Sequence, residues 1–246
     1  MTMPSRVAYI KTSLIDFPGR LASVLFLPGC DFRCPYCHNA ALVEQRRTLA
    51  GPGATEGGAS GSDDSLVAMG EFLEFLDRRK SLISGVVISG GEPLLYEETP
   101  RIARDIRERG LAVKLDTNGS FPERIAPVAA DYVALDLKTS SSAYSRVAPE
   151  LSDAGERVLE SLAYLRSSGT PFEVRITCVP GIVGSPELES MALSLEGGDE
   201  VLLQEFRPGG CLDPAWDSVA PYPREEMALF LAIVRRRSPR ARIRGA

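Results

Sequence analysis

The sequence predicts an α/β fold built on a parallel sheet, and three observations carry that prediction. Six short runs rich in Val, Leu and Ile recur along the chain: Leu21–Leu27, Gly85–Ser89, Leu111–Leu115, Tyr132–Leu137, Phe172–Val179 and Glu200–Phe206. Near-continuous apolar runs of this length suit strands covered on both faces. Segments with helical spacing separate most of them, and strands alternating with helices imply right-handed parallel crossovers. Polar and glycine residues gather where the runs end, which is the edge where parallel sheets place their sites. Pattern alone leaves a partial barrel and a doubly wound sheet equally open.

Taken in order, the run Leu21–Leu27 leads directly into Cys30. The stretch Ala50–Asp64 is almost entirely small and polar, cannot bury enough apolar surface to order itself, and predicts a flexible insertion at 50–64. Leu66, Met69, Phe72, Leu73 and Leu76 then recur at helical spacing, with Asp64 or Ser65 as the cap. Gly85–Ser89 ends in Gly90-Gly91-Glu92-Pro93 and precedes a helix over Glu97–Arg109. Leu111–Leu115 ends in Asp116-Thr117-Asn118-Gly119, and Tyr132–Leu137 brings Asp136 and Lys138 to its end. Val158, Leu159, Leu162 and Leu165 mark the next helix. Phe172–Val179 ends in Pro180-Gly181 before a helix over Pro186–Leu195, and the last run carries Gln204 and Glu205 toward Arg207 before a helix over Arg224–Arg236.

A chain of 246 residues can bury one large core, so residues 1–246 are expected to form a single domain. A net charge of −5 argues against a general binder of phosphate backbones, and no nucleic-acid partner is expected. The arginines of the stretch 235–246 suit a solvated basic tail better than a nucleic-acid site. The first residues lack the zones of a signal peptide, and the longest apolar runs are strand length. The expectation is a cytoplasmic protein with no membrane partner.

Five cysteines in such a chain argue for metal rather than a disulfide framework. Three of them, Cys30, Cys34 and Cys37, form a C-x3-C-x2-C arrangement, and soft thiolates at that spacing can wrap a small metal centre. Structural zinc and most iron–sulfur clusters take four ligands. Cys178, Cys211 and the sole histidine, His38, are the available fourth donors. Cys178 sits within an apolar run as a core residue would, and His38 adjoins Cys37, a poor position for chelating the same ion. Three cysteines on a four-iron cluster leave one iron open, and an open position marks a reactive site.

With Tyr36 before the third cysteine, the motif resembles that of the radical S-adenosylmethionine (SAM) superfamily. Ser89-Gly90-Gly91-Glu92-Pro93, Asp116-Thr117-Asn118-Gly119, Asp136-Leu137-Lys138 and Val179-Pro180-Gly181 follow in that superfamily's order. Cys37-His38-Asn39 and Ser13-Leu14-Ile15-Asp16-Phe17-Pro18-Gly19 resemble the glycyl-radical-enzyme activases, above all those of anaerobic ribonucleoside-triphosphate reductase. The resemblance runs from about Lys11 to Arg207.

The resemblance implies a partial (β/α)6 barrel and a 4Fe-4S cluster on Cys30, Cys34 and Cys37, its open iron binding SAM. It implies reductive cleavage of SAM to a 5′-deoxyadenosyl radical, which takes a hydrogen from the Cα of a glycine in the partner enzyme. An electron donor such as flavodoxin or ferredoxin is implied with it. By the same resemblance Tyr36 and the backbone of Cys37 and His38 lie against the adenine. Gly90 and Gly91 admit the methionyl amino group, and Glu92 contacts the cofactor or anchors the turn. Asp136 and Lys138 address the ribose and carboxylate. Asp116 and Thr117 resemble a monovalent cation site, and Arg175 contacts cofactor or partner or forms a salt bridge. Formate-lyase-type activases have a histidine where this chain has Phe206, leaving Gln204 to replace it. A small-molecule radical SAM synthase of the 7-carboxy-7-deazaguanine type and a non-catalytic iron–sulfur electron carrier are the alternatives.

Overall fold

A computed structural model of the chain describes residues 4–43 and 66–244. The expected insertion at 50–64, and with it the proposed caps Asp64 and Ser65, lies outside the described residues. All six expected strands form: β2 (Ala22–Leu27), β4 (Gly85–Gly90), β5 (Ala112–Thr117), β6 (Tyr132–Asp136), β7 (Phe172–Cys178) and β8 (Val201–Glu205). Three more join them: β1 (Arg6–Ser13), β3 (Val67–Ala68) and β9 (Arg242–Ile243).

The described residues group into two compact units. The first holds β1 to β5, in the order β3-β1-β2-β4-β5. Here β2, β4 and β5 run parallel, with Leu25 beside Ile88 and Ile88 beside Leu115, and all three side chains are buried. β1 is antiparallel to both β2 and β3. The helix expected from Leu66 begins only at Met69 and runs to Arg79, because Val67 and Ala68 pair with Val7 and Arg6 instead. Its Phe72 and Phe75 pack on Tyr9 of β1, with ring centroids 5.2 Å and 4.9 Å apart. The helix expected over Glu97–Arg109 spans Thr99–Arg107.

The second unit holds β6-β7-β8-β9, all parallel, together with the loop Asp31–Ala40 and the turn Thr117–Glu123. Helices Ala154–Ser168, Ser185–Leu193 and Arg224–Arg235 form where the periodicity places them. The first of these ends at Gly169, whose φ of 75° places it in the left-handed region that closes helices. From Arg235 to Arg244 the basic stretch is held against β8. Arg235 Nε donates to Ala241 O at 2.9 Å, β9 pairs with β8, and Arg244 Nη1 donates to Gln204 Oε1 at 2.9 Å. The physical reason is β8 itself, whose outer edge would otherwise carry unpaired backbone donors and acceptors. Among the described residues no helix is long and apolar enough to cross a membrane.

Candidate active site

The cysteine loop is held at both of its ends by backbone. In the first unit, β4 runs beside β2 to Gly90, and Gly91 N donates to Leu27 O at 2.9 Å. Glu92 N then donates to Gly29 O at 2.9 Å, and the Tyr96 hydroxyl donates to Pro28 O at 2.7 Å. A Cβ on Gly91 would stand 1.9 Å from Gly29 O, and one on Gly90, at φ +126°, would stand 2.2 Å from Leu27 O. The glycine pair is therefore required first by the protein's own backbone. Glu92 is fully buried, and its Oε1 accepts from Leu94 N at 2.9 Å, capping the turn Pro93–Leu95. Cys30 follows this anchored stem and is itself buried.

In the second unit the rest of the loop is pinned at each step. Asn118 Nδ2 donates to Asp31 Oδ1 at 2.9 Å while Asn118 Oδ1 accepts from Ser120 N at 2.9 Å. Phe32 meets Tyr144 edge-on at 5.9 Å, and Arg33 N donates to Val147 O at 2.7 Å. Asp213 N and Leu212 N each donate, at 2.9 Å, to Pro35 O and Cys37 O. The Tyr36 ring lies 6.5 Å from Phe206 and 6.3 Å from Trp216, and His38 stacks on Phe206 at 6.2 Å. A ring nitrogen of His38 hydrogen-bonds Arg207 O at 2.5 Å. Phe206, noted from the sequence only as a departure, thus positions both His38 and Tyr36. Trp216 and the Asn118–Asp31 contact carry no spacing signal that would have marked them in advance.

A charged triad lies beside Cys34. Asp136 Oδ1 accepts from Arg175 Nε at 2.7 Å, and its Oδ2 accepts from Lys138 Nζ at 2.8 Å. Burial alone would raise the Asp136 carboxyl, but the charges and hydrogen bonds of Arg175 and Lys138 outweigh it and hold it well below the usual carboxylate range. Burial pushes the Cys34 thiol up to about 12, with the Lys138 ammonium opposing that rise. Arg175 therefore forms the salt bridge named among its expected roles.

The triad makes a testable statement about stability. A carboxyl lowered in the folded state stabilises the protein fully above its unfolded pKa, near 4, and loses that contribution as pH falls through the folded value. Asp136→Asn is expected to cost about 3 kcal/mol, at the low end for breaking a buried ion pair because 21% of the side chain stays exposed. Urea unfolding from pH 7 to pH 3 is expected to show a constant deficit down to about pH 4 that shrinks below it. A deficit unchanged at pH 3 would refute the assignment.

The remaining expected residues are placed as follows. Thr117 Oγ1 accepts from Gly119 N at 3.1 Å, and Asp116 Oδ1 lies 2.9 Å from Lys114 Nζ. Gln204 Oε1 accepts from Arg244 Nη1 at 2.9 Å. Cys178 is wholly buried in β7, and burial raises its thiol to about 12, as for a core residue. Cys211 N donates to Asp217 Oδ1 at 2.8 Å on the segment that clamps Cys37.

Three thiols of one loop are the donor chemistry an iron–sulfur cluster takes, while among the described residues no three His, Cys, Asp or Glu side chains are grouped to hold a metal ion. None of the three loop cysteines is in a disulfide. The Tyr36 hydroxyl is buried beside the Cys34 thiol, with no nitrogen or oxygen partner among the described residues. Burial raises the Cys34 thiol and the Lys138 ammonium opposes the rise, so a metal-bound thiolate there would have part of its charge offset by that ammonium.

Comparisons with known proteins agree with this chemistry. Residues 24–193 match the family model described as the radical SAM superfamily. A protein of Methanocaldococcus jannaschii, named as a glycyl-radical enzyme activating enzyme, is 31% identical over 88% of this chain and 85% of its own length. The pyruvate formate-lyase 1-activating enzyme of Escherichia coli is 31% identical over 68% of this chain and 64% of its own length. A solved structure of TYW1 with a lysine-pyruvate adduct superposes with a TM-score of 0.56 at 15% identity, over 88% of this chain and 74% of that one, which supports the fold. An anchored three-cysteine loop, a charged triad beside it and a matching model over most of the strands point one way: this chain belongs to the radical SAM superfamily, among the glycyl-radical enzyme activating enzymes.

Proposed function

We propose that the chain generates a glycyl radical on anaerobic ribonucleoside-triphosphate reductase. The observation that carries the proposal is the likeness to a named activating enzyme over 88% of the chain, joined to the activase-like segments Cys37-His38-Asn39 and Ser13–Gly19. When bound, the cluster and SAM supply a 5′-deoxyadenosyl radical from one electron given by a flavodoxin- or ferredoxin-class donor, with methionine as the other product. Cys30, Cys34 and Cys37 hold the cluster. Tyr36, with the backbone of Cys37 and His38, presents an aromatic wall to the adenine, backed by Phe206 and Trp216. Lys138 and Asp136 present a fixed cation and anion for the carboxylate and ribose, and Arg175 keeps Asp136 ionised. Gly90, Gly91 and Glu92 shape the turn that meets the methionyl end. The radical so supplied would take a hydrogen atom from Cα of a partner glycine, giving 5′-deoxyadenosine and a glycyl radical on the partner.

The test mixes the reconstituted, reduced protein and SAM anaerobically with purified reductase. One 5′-deoxyadenosine per carbon radical is expected by chromatography and electron paramagnetic resonance. The radical should vanish when the partner's radical-site glycine is replaced by alanine. A formate-lyase-type partner is the second reading, favoured by the match to the Escherichia coli enzyme. Radical on formate-lyase but not on reductase would select it. Radical on neither, with SAM consumed only when a small pterin is added, would overturn the activase function.

A further inference from the structure

We propose that Lys114 supplies, from within the chain, the positive charge that the resemblance would recruit as a monovalent cation at Asp116. SAM binding by this protein then needs no free monovalent cation. Lys114 stands two residues before Asp116 on β5, so the two share one face of the strand. Its side chain is 2% exposed, and Nζ lies 2.9 Å from Asp116 Oδ1. The same Nζ donates to Asp16 O at 2.7 Å and stands 5.8 Å from the centre of the Tyr132 ring. A carboxylate, a carbonyl oxygen and an aromatic face are partners that suit an ammonium and a potassium-like ion alike.

The carbonyl partner is itself held in place. Asp16 belongs to the Ser13–Gly19 segment, where Ser13 Oγ donates to Asp16 Oδ2 at 2.6 Å and accepts from Asp16 N at 3.3 Å. A buried ammonium is tolerated only when paired, so the turn and the carboxylate are arranged for this lysine. A second cation about 4 Å from that ammonium, at an effective dielectric constant near 20, would lose roughly a thousandfold in affinity. The residues around Asp116 therefore fit no metal cation, and Lys114 acts as a positioning residue through Asp116.

The inference rests on superfamily membership and on SAM lying near Asp116, not on the identity of the partner. The test is SAM affinity of the reconstituted full chain, measured by anaerobic equilibrium dialysis at constant ionic strength in potassium, sodium and tetramethylammonium chloride. Wild type is expected to give the same Kd within about twofold in all three salts. Lys114→Met is expected to bind SAM about tenfold more weakly in tetramethylammonium than in potassium, because a small cation then replaces the lost ammonium. Lys114→Met combined with Asp116→Asn removes both charges and is expected to be insensitive to the salt. A tenfold dependence of wild type on potassium or sodium would overturn the proposal, whether or not either variant folds. Absence of SAM binding in every salt would overturn the SAM site together with it.

Discussion

Cys34→Ala is expected to purify folded but without its iron–sulfur cluster, and to cleave SAM more slowly by more than about three orders of magnitude, the scale of loss when chemistry has no bypass. Cys34 is buried, in no disulfide and flanked by the Lys138 ammonium, and burial pushes its thiol up to about 12. Two remaining thiolates cannot close a cluster that already has one open iron. The matched control is Cys178→Ala, an equally buried thiol in β7 with no place in the loop. It is expected to lose about 1 kcal/mol for the small cavity and to load iron normally. Iron and sulfide content, visible absorption and 5′-deoxyadenosine yield read both variants. A fully loaded Cys34→Ala protein would sink the ligand assignment.

Gly91→Ala is expected to destabilise the protein by about 3–4 kcal/mol, the sum of an overpacked contact and a lost hydrogen bond. It should also cut iron loading to a small fraction of wild type. The added Cβ would meet three backbone atoms, at 1.9 Å from Gly29 O, 2.5 Å from Gly29 C and 3.1 Å from Cys30 N. Backbone cannot rotate away as a flexible side chain can, so the Gly29–Cys30 peptide must move and break the bond from Glu92 N. Two control substitutions separate the causes. Gly110→Ala meets nothing within 4 Å but sits at φ +79°, so it reports strain alone, expected at about 1 kcal/mol. Gly198→Ala has open space and no positive φ, and should be close to neutral. Thermal denaturation of the three variants, with iron content beside it, decides. A Gly91→Ala protein as stable as Gly198→Ala would refute the packing account.

The strands and most helices were legible because burial on both faces leaves a plain trace, a run of Val, Leu and Ile, and helices leave a period. What was missed had no such trace. β1 buries only Val7 and Ser13, and its apolar stretch Val7–Ile10 is short and runs straight into Lys11 and Thr12. The helix Pro122–Val128 is short and carries Pro127 inside it. β3 and β9 are two residues each and exist only because a neighbouring edge accepts them. The motifs were visible, but several of their roles were not. Asn118 holds Asp31, and Gly91 makes room for Gly29. Lys114, buried against Asp116, has no local signal in the sequence.

By itself the sequence determined the alternation of strand and helix, the three-thiol loop and the placement of polar groups at strand ends. Those properties are local, written in composition, period and spacing. The tertiary structure alone decided which side chains share a neighbourhood: Arg175 with Asp136, Phe206 with His38, Lys114 with Asp16, Arg244 with Gln204. Each of these pairs joins residues far apart in the chain, and only the register of parallel strands and the packing of their loops brings a distant charge or ring within range.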